Sequence, residues 1–154
     1  MDRQQYRDLE ALSQAVGEPL PVSDWVTITQ EMIDQFAAST LDDQWIHTDV
    51  ERSRRESPFG TTIAHGFLGL SLISRLLMEV VEIESAKMGL NYGLNKARFI
   101  TPLPVGSRVR LHASIKAVEP YEGNARKVFW DCTLELAGAE KPACVAEKIS
   151  LLFE

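Results

Sequence analysis

Several function classes are hard to support because the chain has little of what they require. It has two cysteines, Cys132 and Cys144, and three histidines, His47, His65 and His112, in 154 residues. The cysteines are too few and too far apart for a disulfide framework or a zinc motif, so they read as free thiols of an intracellular protein. No two histidines have the His-x-x-x-His spacing of a helical ligand pair, and no metal is expected. Excess basic charge is also missing: the formal net charge is −6. Nonspecific nucleic-acid binding needs a basic footprint, so no nucleic-acid partner is expected. No run approaches the roughly 18 apolar residues of a membrane span. The start, MDRQQYRDLEALSQAVG, is charged and has no apolar leader core. These absences predict a cytoplasmic protein with no membrane association. No repeat or low-complexity tract is visible.

What remains is ordinary globular composition, 45% hydrophobic and 25% charged, at a length that suits one domain over residues 1–154. Tyr6, Leu9, Leu12 and Val16 share one helical stripe, predicting an amphipathic helix over residues 3–16 that Gly17, Pro19 and Pro21 close. A short strand is expected near 24–28. Thr29 then caps a helix over about 30–39 that buries Met32, Ile33, Phe36 and Ala37. Residues 48–63 read as loop with at most one helical turn. His65 to Val81 is apolar nearly all round, apart from Arg75 and Glu79, and predicts a helix buried in the middle of the fold.

Beyond that helix the period changes to two. Val109, Leu111, Ala113, Ile115 and Ala117 alternate with polar neighbours, which leaves His112 on the exposed phase. Val128, Trp130, Cys132, Leu134 and Leu136 alternate in the same way. Further strands are expected over about 91–100 and, with a less regular pattern, over 143–153. Strands that follow one another without helices between them should pair antiparallel. The fold class is α+β, one long buried helix with four strands curled around it.

The stretch LDDQWIHTD, residues 41–49, carries the chemistry. Asp42 and His47 are five positions apart, which is about 140° out of line on a helix and opposite faces on a strand. Only a turn beyond a helix end brings the two side chains together, and the preceding helix ends in the right place. Histidine carries protons near neutral pH, and a carboxylate beside it can orient it or share work on a water. The same spacing also fits a solvated loop in which His47 merely bonds a backbone carbonyl. A second stretch, FGTTIAHGFLGLSL, places Gly66 at the start of the apolar helix. A free N–H there, at the positive helix end, suits an oxyanion. A glycine needed for close packing fits equally well.

Together, DDQWIHTD, PFGTTIAHGFLGLSL and LNYGLNKARFITPLPVGSRVR resemble the MaoC-type dehydratases, the R-specific enoyl-CoA hydratase group. Within it they are most similar to the nodulation-protein-N-like and bacterial 3-hydroxyacyl-thioester dehydratase branch. The resemblance implies a hotdog fold, an antiparallel sheet wrapped around the helix from Gly66 to Val81. It implies a homodimer with the acyl tunnel near the subunit interface, and an acyl thioester of coenzyme A or acyl carrier protein as substrate. No metal or redox cofactor is implied; coenzyme A or phosphopantetheine belongs to the substrate. Carried over residue by residue, the catalytic pair is Asp42 and His47, the oxyanion donor is Gly66, and a supporting serine is Ser74. His65 is expected to be structural, with a share in the pocket mouth.

The chain departs from the common Gly-Asp-x-Asn-Pro-x-His motif at Leu41, Gln44 and Trp45. Gln44 keeps an amide that can orient water or His47. Trp45 is expected as a pocket wall that excludes water. Arg52, Arg54 and Arg55, and more weakly Arg98 and Arg108, offer charges for substrate phosphates or simply form a solvated face. Two other readings share these features: a hotdog thioesterase, and a noncatalytic acyl-thioester binding domain supported by the three departures.

Overall fold

The computed structural model describes residues 3–154. Strand β1 (Gln4–Tyr6) leads into helix α1 (Leu9–Gln14), whose N-cap Asp8 accepts a hydrogen bond from the Ala11 N–H. Strand β2 (Val26–Thr27) precedes helix α2 (Gln30–Thr40), capped by Thr29. Two short helices follow, α3 (Trp45–Thr48) and α4 (Val50–Glu56), and then the long helix α5 (Gly66–Val80). The rest is strand: β3 (Val81–Ile83), β4 (Met88–Phe99), β5 (Arg108–Pro120), β6 (Arg126–Leu136) and β7 (Cys144–Phe153).

Five strands form one antiparallel sheet in the order β2-β5-β6-β7-β4. The period-two pattern sets its faces. Val109, Leu111, Ala113 and Ile115 of β5 and Val128, Trp130, Cys132, Leu134 and Leu136 of β6 are all buried. They form the core with Leu68, Ile73, Leu76, Leu77 and Val80 of α5. The regular alternation of β5 stops at a bulge between Ile115 and Ala117, where the register with β6 shifts.

Three expectations need correction. The predicted helix over 3–16 begins only at Leu9, because Gln4–Tyr6 pair parallel with Val81–Ile83 in a separate two-stranded sheet. It ends at Gln14, so Val16 is exposed rather than on the buried stripe. Residues 48–63 contain a whole seven-residue helix, α4, held by the Asp49 cap and by the Arg52–Glu56 and Arg54–Glu51 ion pairs instead of by an apolar stripe. Helix α5 is not enclosed on all sides. Phe67, Ser71, Arg75 and Met78, spaced three to four apart, form an exposed face. Phe67 is 65% and Met78 63% exposed. Beside that face runs β4, an edge strand with Leu90, Tyr92 and Leu94 exposed. No helix among the described residues is long and apolar enough to cross a membrane.

The turn that leaves α2 is strained. Leu41 is its C-cap at φ 62°, ψ 20°, a left-handed conformation that costs a residue with a Cβ about 1 kcal/mol or more. Its side chain is 85% exposed, so little burial offsets that cost. Leu41→Gly is expected to raise the unfolding free energy by roughly 0.5–1 kcal/mol, the relief of strain exceeding the added chain entropy. Urea denaturation measures it; an unchanged or lower midpoint contradicts the strain account.

Candidate active site

Leu41 reverses the chain, and α3 then begins at Trp45. The backbone carbonyl of Gln44 receives the N–H groups of His47 and Thr48 at 2.9 and 3.3 Å. This one-turn helix delivers His47 into the interior, where it is only 6% exposed. Asp42 stays on the solvent side.

The two relevant histidines have defined protonation sites. His47 Nδ1 lies 2.7 Å from the Ile63 carbonyl. A carbonyl only accepts, so Nδ1 carries the hydrogen and Nε2 of the neutral ring holds the lone pair. His65 Nε2 lies 2.8 Å from the Asp42 backbone carbonyl and therefore donates to it. Its buried Nδ1 has no hydrogen-bond partner. The rings stack at 3.8 Å, 24° from parallel, and Phe36 packs against His65 from another side.

An oxygen of Asp42 and one ring nitrogen each of His47 and His65 lie within 4.8 Å of one another. This could suggest a metal centre, but the ring geometry argues against one. Imidazole lone pairs lie in the ring planes, and two rings stacked with centroids 3.8 Å apart and 24° from parallel are poorly placed to aim both lone pairs at one ion about 2 Å from each nitrogen. A water molecule suits the gap better, since one water can bridge two groups that each need a hydrogen bond of about 2.8 Å.

His65 also starts α5, without a side-chain cap bond. The next residue is Gly66, whose N–H belongs to the unsatisfied first turn of a 15-residue helix. A Cβ at Gly66 would stand 2.9 Å from the Phe99 ring. Close packing and a free helix-end N–H, alternatives in the sequence, therefore coincide at this residue.

A cavity of about 280 Å³ reaches from His47 to Gly66. Its walls include Ile63, Phe99, Ile100, Pro102, Leu103 and Cys144. The sequence marked the stretch carrying Phe99 to Leu103 but gave it no part in the site. The signal was the apolar Phe-Ile followed by Thr-Pro-Leu-Pro, at a strand end where apolar residues need another reason to stay. Burial pushes the Cys144 thiol up, and that of Cys132 up to about 12, so neither is a ready nucleophile.

Asp42, His47 and His65 are thus brought together, and His47 shares its cavity with Gly66, which Asp42 and His65 do not border; the remaining expected residues stand apart. Gln44 acts through its backbone carbonyl, and its side chain is exposed. Trp45 does not border the cavity. Its ring packs under the Arg52 guanidinium, 4.3 Å from the centroid. Ser74 lies two helical turns beyond Gly66, about 12 Å at 1.5 Å per residue, and donates to Asn91 Oδ1 at 3.2 Å. Arg52 and Arg54 are engaged with Glu56 and Glu51. Arg108 lies over Trp25, and His112, half-exposed, joins Arg110 on Glu135, whose carboxyl they hold below its usual range.

An antiparallel sheet curled against one long helix is the hotdog fold. The MaoC like domain family model matches residues 11–129, and the chain belongs to that family. It is 48% identical over 144 residues to 3-hydroxyacyl-thioester dehydratase Z of Mycobacterium tuberculosis (strain ATCC 25618 / H37Rv), covering 94% of this chain and 95% of that protein. It is 40% identical over 138 residues to nodulation protein N of Rhizobium leguminosarum bv. viciae, covering 89% and 86%. Among solved structures it is similar to the MaoC-like dehydratase from Rhodospirillum rubrum, with a TM-score of 0.73, 21% identity and 91% and 93% coverage, a likeness of fold.

The Gly66–Phe99 contact can be tested by itself. Gly66→Ala is expected to cost about 1–3 kcal/mol of stability through overpacking, although alanine is the better helix former. Phe99→Ala in the same chain should recover most of that loss in denaturant unfolding. A Gly66→Ala chain as stable as the native one would show that the ring yields freely.

Proposed function

We propose that the protein catalyses reversible hydration of trans-2-enoyl thioesters to (R)-3-hydroxyacyl thioesters. The observation that carries this reading is the approach of an Asp42 oxygen to a ring nitrogen of His47 within 4.8 Å, with Gly66 at the start of α5 bordering the same cavity as His47. The 48% identical relative named a 3-hydroxyacyl-thioester dehydratase supports it across nearly the whole chain.

In this reading a water is held between Asp42 and His47. As its oxygen bonds to C3, one of the pair takes its proton, and the C2–C3 π electrons move toward the thioester oxygen. The Gly66 N–H stabilises the charge that develops there. Protonation at C2 from the same pair completes the addition. A close pair titrates as a unit, so acid and base are assigned to the dyad. His65 is a positioning residue. It fixes the Asp42 backbone through Nε2 and backs the His47 ring. Addition of water changes no net oxidation state, so no redox cofactor is required.

The exposed face of α5 and the open edge at β4 support a second copy of the chain as the missing cover, which would make the working unit a homodimer. The carrier, coenzyme A or acyl carrier protein, contributes the thioester in either case.

Crotonyl-CoA provides the test. Enoyl absorbance is expected to fall without release of free thiol. Thiol release would instead indicate hydrolysis, and no change with any chain length would leave a binding domain. Asp42→Asn and His47→Gln are each expected to lower kcat/KM by about 10²–10⁴-fold. Retained turnover in either folded variant removes that residue from the mechanism.

A further inference from the structure

A second cavity, of about 450 Å³, lies farther along α5 and the sheet and shares no lining residue with the first. The first cavity borders Gly66 and Gly69 of α5 and Cys144 of β7; the second borders Ser74 and Leu77 of α5 and Lys148 and Ser150 of β7. The strand register sets the two in line along β4 and β7, since Phe99 pairs with Cys144 at one end and Asn91 with Ser150 at the other. Eight residues of helix separate Gly66 from Ser74, about 12 Å.

Lys148 is anomalous here. On β7 the inward positions are Cys144, Ala146, Lys148 and Ser150, all buried, while Glu147 points outward to Lys116. Lysine thus occupies a core position and is 8% exposed. Its Nζ donates to Ser150 Oγ at 2.7 Å, and no salt bridge holds it among the described residues. Trp130 Nε1 donates to the same Ser150 oxygen at 3.2 Å. Ser150 therefore accepts twice and keeps its own O–H to donate, and Lys148 keeps two N–H groups. Among the described residues Ser150 Oγ is the one acceptor that Lys148 Nζ reaches. Glu82 borders the same cavity but is paired with Arg3 at 3.1 Å. Burial pushes the Lys148 ammonium below its usual range, the mark of a cation without a counterion.

We propose that an acyl chain runs from the first cavity to the second and bears a second carboxylate at its far end, docked on Lys148 and Ser150, so that the substrates are thioesters of dicarboxylic acids. The proposal rests on the hydratase reading of Asp42, His47 and Gly66. An extended chain advances about 1.2 Å per bond, so about 12 Å corresponds to about ten bonds, close to the length of a ten-carbon diacid. A carboxylate at that point accepts from both free donors and supplies the missing countercharge. A plain alkyl end would leave both groups buried and unpaired, which is the stronger basis for discrimination.

The test compares two ten-carbon substrates, trans-2-decenoyl-CoA and trans-2-decenedioyl-CoA, on the native chain and on Lys148→Met. The native enzyme is expected to favour the diacid by about tenfold or more in kcat/KM, and Lys148→Met to lose or reverse that preference. The variant should unfold several °C higher, since it removes a buried unpaired charge. A native preference for the alkyl substrate, or a ratio that Lys148→Met leaves unchanged, overturns the proposal. If the native chain hydrates neither substrate, the hydratase reading fails on its own terms. Calorimetric binding of decanedioyl-CoA against decanoyl-CoA then decides: a diacid preference lost in Lys148→Met upholds the Lys148 site, and equal binding overturns it.

Discussion

The hydrogen bond from His47 Nδ1 to the Ile63 carbonyl is the constraint on which the site depends. It joins the turn after α2 to the segment that enters α5, and it leaves Nε2 as the basic nitrogen. The same segment is tied on every side. Ile63 N–H donates to the Ile46 carbonyl, Ala64 N–H to Leu103, and Val105 N–H to Thr62. Gln30 closes the lattice: its amide donates to the His47 carbonyl at 2.8 Å and accepts from Thr62 Oγ1 at 2.5 Å. A functional group placed on a four-residue helix needs this external bracing, because so short a helix has little stability of its own. The bland expectation of a histidine bonded to a backbone carbonyl and the functional one of a catalytic histidine describe the same contact, since that bond sets the tautomer.

Much of this was legible in the sequence, and the failures have physical causes. The five-residue spacing of Asp42 and His47 demanded a turn, and Leu41 supplies it in a left-handed conformation that no composition rule would assign to leucine. The alternation of β5 and β6 gave their inner faces directly, since period two survives wherever one face is buried. Helix α1 was overextended because Tyr6, Leu9 and Leu12 are all buried, as the stripe required, yet Tyr6 is buried as part of a strand. Its partner, Ile83, is far along the chain, and a parallel pairing of that range leaves no local periodicity. Helix α4, VERSRRE, lacks an apolar stripe and is held by a cap and ion pairs, which pattern reading does not weigh. Trp45 looked like a wall because of its size, but the site's walls come from the end of β4 and the loop after it.

The irregular pattern of the last strand is informative in the same way. Had β7 alternated cleanly, Lys148 and Ser150 would be apolar, and the trough beside α5 would be uniformly greasy. Instead His47 borders the first cavity and Lys148 with Ser150 the second, with Gly69 and Leu103 lining the one and Leu77 the other. A ligand that spans both is apolar in the middle and polar at each end.

A buried cation without a counterion weakens a fold, because its desolvation is not repaid by attraction. Methionine, similar in length, would fill the same volume on β7 without that cost. A stable core therefore gives no reason for lysine at position 148. The same holds for Leu41, whose strain purchases only the direction in which the chain leaves α2. Leu41 turns the chain beside Asp42, and Lys148 borders the second cavity, so the two departures stand at separate places. In a chain otherwise consistent from pattern to packing, strain at one and unpaired polarity at the other mark both as shaped for something other than stability.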